Sequence, residues 1–282
     1  MPEQILPVRG VDLCVETFGE PAAPPILLIM GATASMDWWL TDFCHRLAEG
    51  GRYVVRYDHR DTGRSAHDPA GAPTYQSSDL VADPMGILDA LGTAKAHVVG
   101  FSMGGAIAQQ LALDHADRLT SVTFMSTTAG PGDADLPPMS PELKASFAEA
   151  AAPPDWTDRS AVIESVVRDQ QLVAGQSLPF DEPAARALAV QVFDRTKNMA
   201  AGQNHWMLEG GASQRHRLAE ISLPTLVMHG TEDPLFPYGH GVALAREIRA
   251  ARLVPLEGAG HELPRPCWDV AIEAILAHTA VR

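Results

Sequence analysis

Gly100-Phe101-Ser102-Met103-Gly104 sets one serine between small residues, at a point where the hydrophobic pattern changes period. The run before it, Ala96-His97-Val98-Val99, is short and β-branched, as a buried strand is. The run after it, Gly105 to Leu113, is alanine-rich and places Met103, Ile107 and Leu111 at i, i+4 and i+8. That is the stripe of an amphipathic helix. A serine on so sharp a strand-to-helix turn needs small neighbours, because the turn leaves no room for side chains there. The turn lifts the hydroxyl above the sheet edge and aims it outward.

The same alternation recurs along the chain, and it predicts a mostly parallel, eight-stranded sheet with helices on both faces. Residues 3–17 read as an opening antiparallel pair turning at Arg9-Gly10. Strand-like runs follow at 26–30, 53–57, 96–99, 121–125, 225–228 and 251–255, with helices near 36–49, 78–91, 103–114, 239–249 and 264–278. Trp268, Ile272, Ile275 and Leu276 form a docking stripe on the last helix. Pro84 is expected to kink the second helix or delay its start. Between residues 131 and 223 the rhythm stops. Pro131, Pro137, Pro138, Pro141, Pro153 and Pro154 punctuate its first part, and short helices follow. This long insertion reads as a helical cap over the mouth of a core formed by residues 1–130 and 224–282.

With 46% hydrophobic and 20% charged residues, the chain has the composition of a protein with a sizeable core. A net charge of −14 disfavours nucleic acid and anionic membrane as partners, since both would repel it. Cys14, Cys44 and Cys267 are few, odd in number and far apart, so they offer neither a disulfide framework nor a metal pair. The first residues lack a basic stretch followed by an apolar one, and no apolar run approaches the roughly 20 residues that span a bilayer. A cytoplasmic protein acting on a small molecule is the expectation, and a homodimer is compatible with it.

A serine hydroxyl is a poor nucleophile until a histidine takes its proton, and the histidine needs a carboxylate to fix its tautomer. Both partners are expected on loops at the C-terminal ends of later strands. Asp233 lies on such a loop, in His229-Gly230-Thr231-Glu232-Asp233-Pro234, and His261 on the next, in Glu257-Gly258-Ala259-Gly260-His261. The order serine, aspartate, histidine fits a nucleophile on this kind of elbow. Two backbone N–H groups must also face the developing oxyanion. Met103, at a helix N-terminus, offers one, and Ala32, in the loop Met30-Gly31-Ala32-Thr33-Ala34, offers the other.

With these residues in place the chain resembles the serine α/β-hydrolase superfamily, over about residues 8–130 and 220–282. Tyr57-Asp58-His59-Arg60-Asp61-Thr62-Gly63-Arg64-Ser65 resembles that superfamily's Asp-x-Arg-Gly-x-Gly-x-Ser stretch. Met30-Gly31 stands where His-Gly is usual, and Asp61 where a glycine is usual. Both variants, with the Gly-x-Ser-Met-Gly elbow, are similar to the aclacinomycin methylesterase branch, which acts on methyl esters of aromatic polyketides. The resemblance implies a carboxylic ester hydrolase with Ser102, Asp233 and His261 as its triad and Ala32 and Met103 as oxyanion donors. It carries no metal and no organic cofactor.

Plainer readings exist for each residue. Ser102 can serve as a helix N-cap, Asp233 as a turn residue and His261 as a core histidine. Glu232 and Glu262 can replace or perturb the acid, and His240 can rival His261. His205 and His216 default to surface or lid positions. Asp58, His59, Arg60 and Asp61 can be imagined as a metal site, but they read first as a polar turn ordered by an internal Asp–Arg pair. Trp38, Trp156, Phe193 and Trp206 are candidates for lining an apolar, roomy pocket. The same triad would serve a lactonase, a C–C bond hydrolase or a cofactor-free perhydrolase or haloperoxidase. A non-catalytic binding protein of hydrolase shape is the reading from another class.

Overall fold

The computed structural model describes residues 2–130, 132–149, 153–209 and 213–280. Eight strands form one sheet: β1 (Gln4–Val8), β2 (Val11–Phe18), β3 (Pro25–Ile29), β4 (Tyr53–Tyr57), β5 (Ala96–Phe101), β6 (Leu119–Met125), β7 (Thr225–Gly230) and β8 (Arg252–Leu256). Their spatial order is β1-β2-β4-β3-β5-β6-β7-β8. The pairs β1/β2 and β2/β4 are antiparallel, and the remaining pairings are parallel. The first hairpin turns through Arg9 and Gly10, both at positive φ (50° and 86°), as the twist of a two-residue hairpin demands.

Helices α1 (Thr41–Glu49), α2 (Ser77–Ala90) and α3 (Met103–Asp114) connect the first strands. Between β6 and β7 lie α4 (Pro141–Ala148), α5 (Arg159–Val173) and α6 (Glu182–Arg195), then two 3-10 segments, Met199–Met207 and Arg215–Glu220. The core resumes with α7 (Gly239–Glu247) and ends with α8 (Trp268–His278). The expected helix near 36–49 divides into a 3-10 turn (Met36–Trp38) and α1, and the last helix opens with a 3-10 turn at Arg265–Cys267. Helix α2 runs through Pro84, so the proline does not delay its start. Pro131 and the expected cap boundary at that residue lie outside the described residues.

The central strands are apolar on both faces, which is why they read as continuous runs rather than alternations. In β3, Leu27 and Ile29 join a cluster with Leu88 of α2, Ile107 and Leu111 of α3 and Leu244 of α7. Ile26 and Leu28 face the other way, joining Phe43 and Leu47 of α1 and Trp268, Ile272 and Ile275 of α8. Each such side chain, fully buried, contributes on the order of 1.5–3 kcal/mol. Two filled layers therefore fix which face each helix takes, and the C-terminal strand ends converge on one rim.

His97 is a polar exception inside β5. It is 3% exposed, and its Nδ1 lies 2.7 Å from Ser121 Oγ. Burial, with Arg52 and His278 nearby, lowers its pKa from 6.5 to about 4. The unfolded chain then holds one more proton than the native chain between those values, so native stability falls as the pH drops through the window. Urea unfolding from pH 7 to pH 4.5 should show this decline, with His97 supplying a slope of up to about 1.4 kcal/mol per pH unit. His97→Gln is expected to flatten that slope; an unchanged slope would remove His97 from the account.

Candidate active site

Ser102 sits between β5 and α3 with φ at 54° and ψ at −118°, a backbone position that a side chain tolerates only under constraint. Steric necessity explains the two glycines of the motif. A Cβ on Gly100 would strike the carbonyl of Gly104, and one on Gly104 would strike the carbonyl of Ile29. The strand and helix therefore approach closely, and the Ser102 N–H is tied to the Met125 carbonyl at 2.9 Å. The side chain of Ser102 makes no N-cap bond to the helix and is left to other partners.

Its partners come from the loops after β7 and β8. Ser102 Oγ lies 2.9 Å from His261 Nε2, and His261 Nδ1 lies 2.7 Å from Asp233 Oδ2. A carboxylate only accepts, so Nδ1 carries the ring proton and Nε2 is free to accept from the serine hydroxyl. Asp233 also fills its plainer role: Oδ1 accepts from the N–H groups of Leu235 and Phe236 at 2.9 and 2.8 Å. The carboxylate is thus locked by its own turn while its second oxygen holds the histidine. The imidazole packs between Phe101 and Phe236, with ring centroids 5.2 and 5.6 Å away.

Neither neighbouring glutamate competes for the histidine. Glu232 accepts from the N–H groups of Gln176 and Ser177 at 2.7 and 2.9 Å and from the Ser177 hydroxyl. Glu262 accepts from the Gly175 N–H at 3.1 Å, and the His261 N–H donates to the Val173 carbonyl at 2.8 Å. The end of α5 and the turn that follows it therefore brace both loops. The alternative in which they replace or perturb the acid is not taken up, because each is engaged by partners 55 to 87 residues away along the chain. His240 stands apart, bonded to Thr128 Oγ1 and the Pro137 carbonyl, each at 2.8 Å.

The loop after β3 runs beside the serine: a Cβ on Gly31 would stand 3.2 Å from Ser102 Cβ. Ala32 and Met103 line the same cavity as Ser102 and His261. The Met103 N–H is the first of α3, so the helix offers it no acceptor of its own. The cavity measures about 1760 Å³, with apolar walls that include Trp38, Phe101, Phe180, Leu188 and Phe236. Trp206 also lines it and is 68% exposed. Trp39 is buried against Phe43 and Phe101. Phe193 and Trp156 do not line the cavity. Phe193 instead packs on Ile163, Val167 and Ala189 between α5 and α6, and Trp156 is half-buried before α5.

The polar turn after β4 is not ordered by an internal pair. Arg60 instead forms a two-pronged bond to Asp83 of α2, at 2.7 and 2.8 Å. Asp61 accepts from Tyr75 and from Asn204, at 2.7 and 2.8 Å. Asp58 receives Arg195 from α6 on both oxygens, at 3.0 and 2.7 Å. Arg195 also reaches Asp37 at 3.0 Å and Glu3 at 2.6 Å. Burial disfavours the charged guanidinium, but its bonds to Asp58 outweigh that and hold Arg195 firmly protonated. Among the described residues no group of three or more histidine, cysteine or acidic side chains is placed to hold a metal ion. His205, expected at a surface or lid position, lies in the segment Met199–Met207 but is only 6% exposed, and it bonds the Thr33 N–H at 2.9 Å and the Arg60 carbonyl at 2.8 Å.

The model of the family described as alpha/beta hydrolase fold matches residues 24–264. The chain is 34% identical to rhodomycin D methylesterase DauP of Streptomyces sp. (strain C5) over 303 residues, covering 99% of this chain and 98% of the relative. It is 33% identical to rhodomycin D methylesterase DnrP of Streptomyces peucetius with the same coverage. Among solved structures, the enol-lactonase from Burkholderia xenovorans LB400 superposes with a TM-score of 0.75 at 26% identity, covering 98% of this chain and all of that one. The chain belongs to the α/β-hydrolase fold family.

Arg195 is 7% exposed among three carboxylates, so removing it leaves buried negative charge without compensation. Arg195→Met is expected to cost about 3–5 kcal/mol, the range for breaking one side of a buried pair. Urea unfolding near neutral pH measures it. A loss within error of zero would mean that water screens the cluster.

Proposed function

We propose that this α/β-hydrolase cleaves a carboxylic ester through an acyl-enzyme on Ser102. The observation that carries the reading is the unbroken hydrogen-bonded line from Ser102 Oγ through His261 to Asp233. As Oγ attacks the ester carbonyl, its proton passes to His261 Nε2, and the new positive charge on the ring faces the Asp233 carboxylate. The carbonyl oxygen becomes an oxyanion on the N–H groups of Ala32 and Met103. Collapse breaks the ester C–O bond, and His261 returns its proton to the departing alcohol. Water then gives its proton to His261 and attacks the acyl-serine, and collapse releases the acid and restores the serine.

The broader class, a carboxylic ester hydrolase, follows from the family and from the near full-length likeness to two methylesterases. The finer substrate class is our inference. Ligand cavities commonly measure about 300–1,000 Å³, so this one admits a bulky molecule, and its walls favour an apolar or aromatic one. The relatives named for rhodomycin D support a methyl ester of a large aromatic compound. Residues 131–223 then act as the cap that closes the cavity from above.

Hydrolysis of p-nitrophenyl acyl esters of rising chain length, beside aromatic methyl esters, tests the reading. Ser102→Ala is expected to abolish turnover, and Asp233→Asn to lower kcat by about 10⁴-fold by freeing the wrong tautomer. Wild-type turnover in Ser102→Ala would refute the serine mechanism. Should the wild type leave open-chain esters untouched, a lactone is the next substrate to assay.

A further inference from the structure

His59 and His205 grip the loop between Met30 and Thr33 from its two ends. His59 Nε2 lies 2.9 Å from the Met30 carbonyl. His205 Nδ1 lies 2.9 Å from the Thr33 nitrogen, and its Nε2 lies 2.8 Å from the Arg60 carbonyl. A carbonyl only accepts, so each Nε2 carries the ring hydrogen. In a neutral ring that leaves His205 Nδ1 with a lone pair, which accepts the Thr33 N–H. The two imidazoles meet edge to face, with centroids 5.9 Å apart and planes at 90°. The loop they hold needs holding. Thr33 has φ at 64°, which a β-branched residue adopts only when its surroundings compel it.

We infer that His59 and His205 are positioning residues that fix the Ala32 N–H for the oxyanion, with His205 setting its height above Ser102 through Thr33. The inference rests on the ester-cleaving reading above. Neither ring is bonded to Ser102, His261 or Asp233, although His205 borders the cavity. His59 closes the loop at the carbonyl before Gly31, and His205 closes it at the N–H after Ala32. Only the Gly31 and Ala32 units remain between the two fixed points, beside the Ser102 side chain. His205 arrives from the 3-10 segment Met199–Met207, so the excursion contributes to the geometry of the core site.

Burial lowers the pKa of His59 to about 3 and moves His205 in the same direction. The groups facing His205 are His59, Asp61 and Arg60, the last through its carbonyl. Both rings therefore stay neutral near pH 7, as the acceptor role of His205 Nδ1 requires.

The test compares His205→Leu, His205→Asn and His205→Gln with the wild type and Ser102→Ala on one p-nitrophenyl ester, with active sites counted by an organophosphate titrant. The asparagine oxygen can stand near the Nδ1 position and accept the Thr33 N–H, whereas leucine fills space and accepts nothing. Per titrated site, His205→Leu is expected to lower kcat by about 10–100-fold, short of the roughly 10²–10³-fold that follows outright loss of a donor. KM should barely move. Inhibition by phenylboronic acid, whose adduct presents a tetrahedral anion, should weaken by a similar factor. His205→Asn should recover most of the rate.

A His205→Leu kcat within twofold of wild type per site would overturn the inference, as would a loss without weaker boronate binding. If His205→Leu does not fold, the asparagine and glutamine variants decide, because glutamine places its amide near Nε2 and leaves Thr33 unmet. Asparagine faster than glutamine supports positioning, and equal rates overturn it. Turnover that survives in Ser102→Ala, or a wild type without turnover, overturns the ester reading and this inference with it. Intact Ser102-dependent turnover with unaffected His205 variants removes only the latter.

Discussion

The close passage of β5 into α3 governs the molecule's functional end. Gly100 and Gly104 let two backbones approach where any side chain would collide, and that approach forces Ser102 to positive φ. The strain is carried by the parallel neighbours on either side of β5, β3 and β6, whose apolar faces are buried in both layers. A sheet that was filled on one face alone would have less with which to resist it. Once the hydroxyl stands above the rim, the loops after β7 and β8 need only be of the right length to bring a carboxylate and an imidazole to it.

Those loops are not left to their own stiffness. The last residue of α5 receives the His261 N–H, and the turn just after it supplies N–H groups to Glu232 and Glu262. Arg195 of α6 enters a nest formed by Asp37, Asp58 and Glu3 beneath the loop that carries Trp38. Asn204 and His205 reach the turn after β4. Among the fastenings between the core and the excursion from β6 to β7, these lie next to parts of the candidate site. The excursion's hydrogen bonds hold the loops of His261, Asp233 and Ala32, while its apolar side chains wall the cavity.

What could be read from the sequence follows from the range of each signal. Strands buried on both faces announce themselves as apolar runs, and an elbow with its strand and helix is contiguous. Ser102, Asp233 and His261 each sit at a strand end, so the pattern that locates the strands also locates them. The fastening residues have no such local mark. Arg195 meets Asp58 across 137 residues and His205 meets Thr33 across 172, and an arginine on an amphipathic helix looks the same whether it faces solvent or a buried carboxylate. The aromatic residues of the excursion divide for a related reason. Phe180 and Trp206 border the cavity, and Phe193 belongs to the small core between α5 and α6. Helical spacing alone does not tell the inner wall of a cap from its own interior.

A lid hinged only at its two ends can melt away and leave a folded base. Here, lifting the excursion would strand the carboxylates of Asp58 and Asp37, release the His261 loop and uncover the apolar cavity at the same moment. Partial opening therefore breaks buried ion pairs and exposes apolar surface together, which couples the excursion to the sheet. Heat inactivation is then expected to track unfolding, since loosening the excursion frees the loop of His261 and the pocket wall in one step.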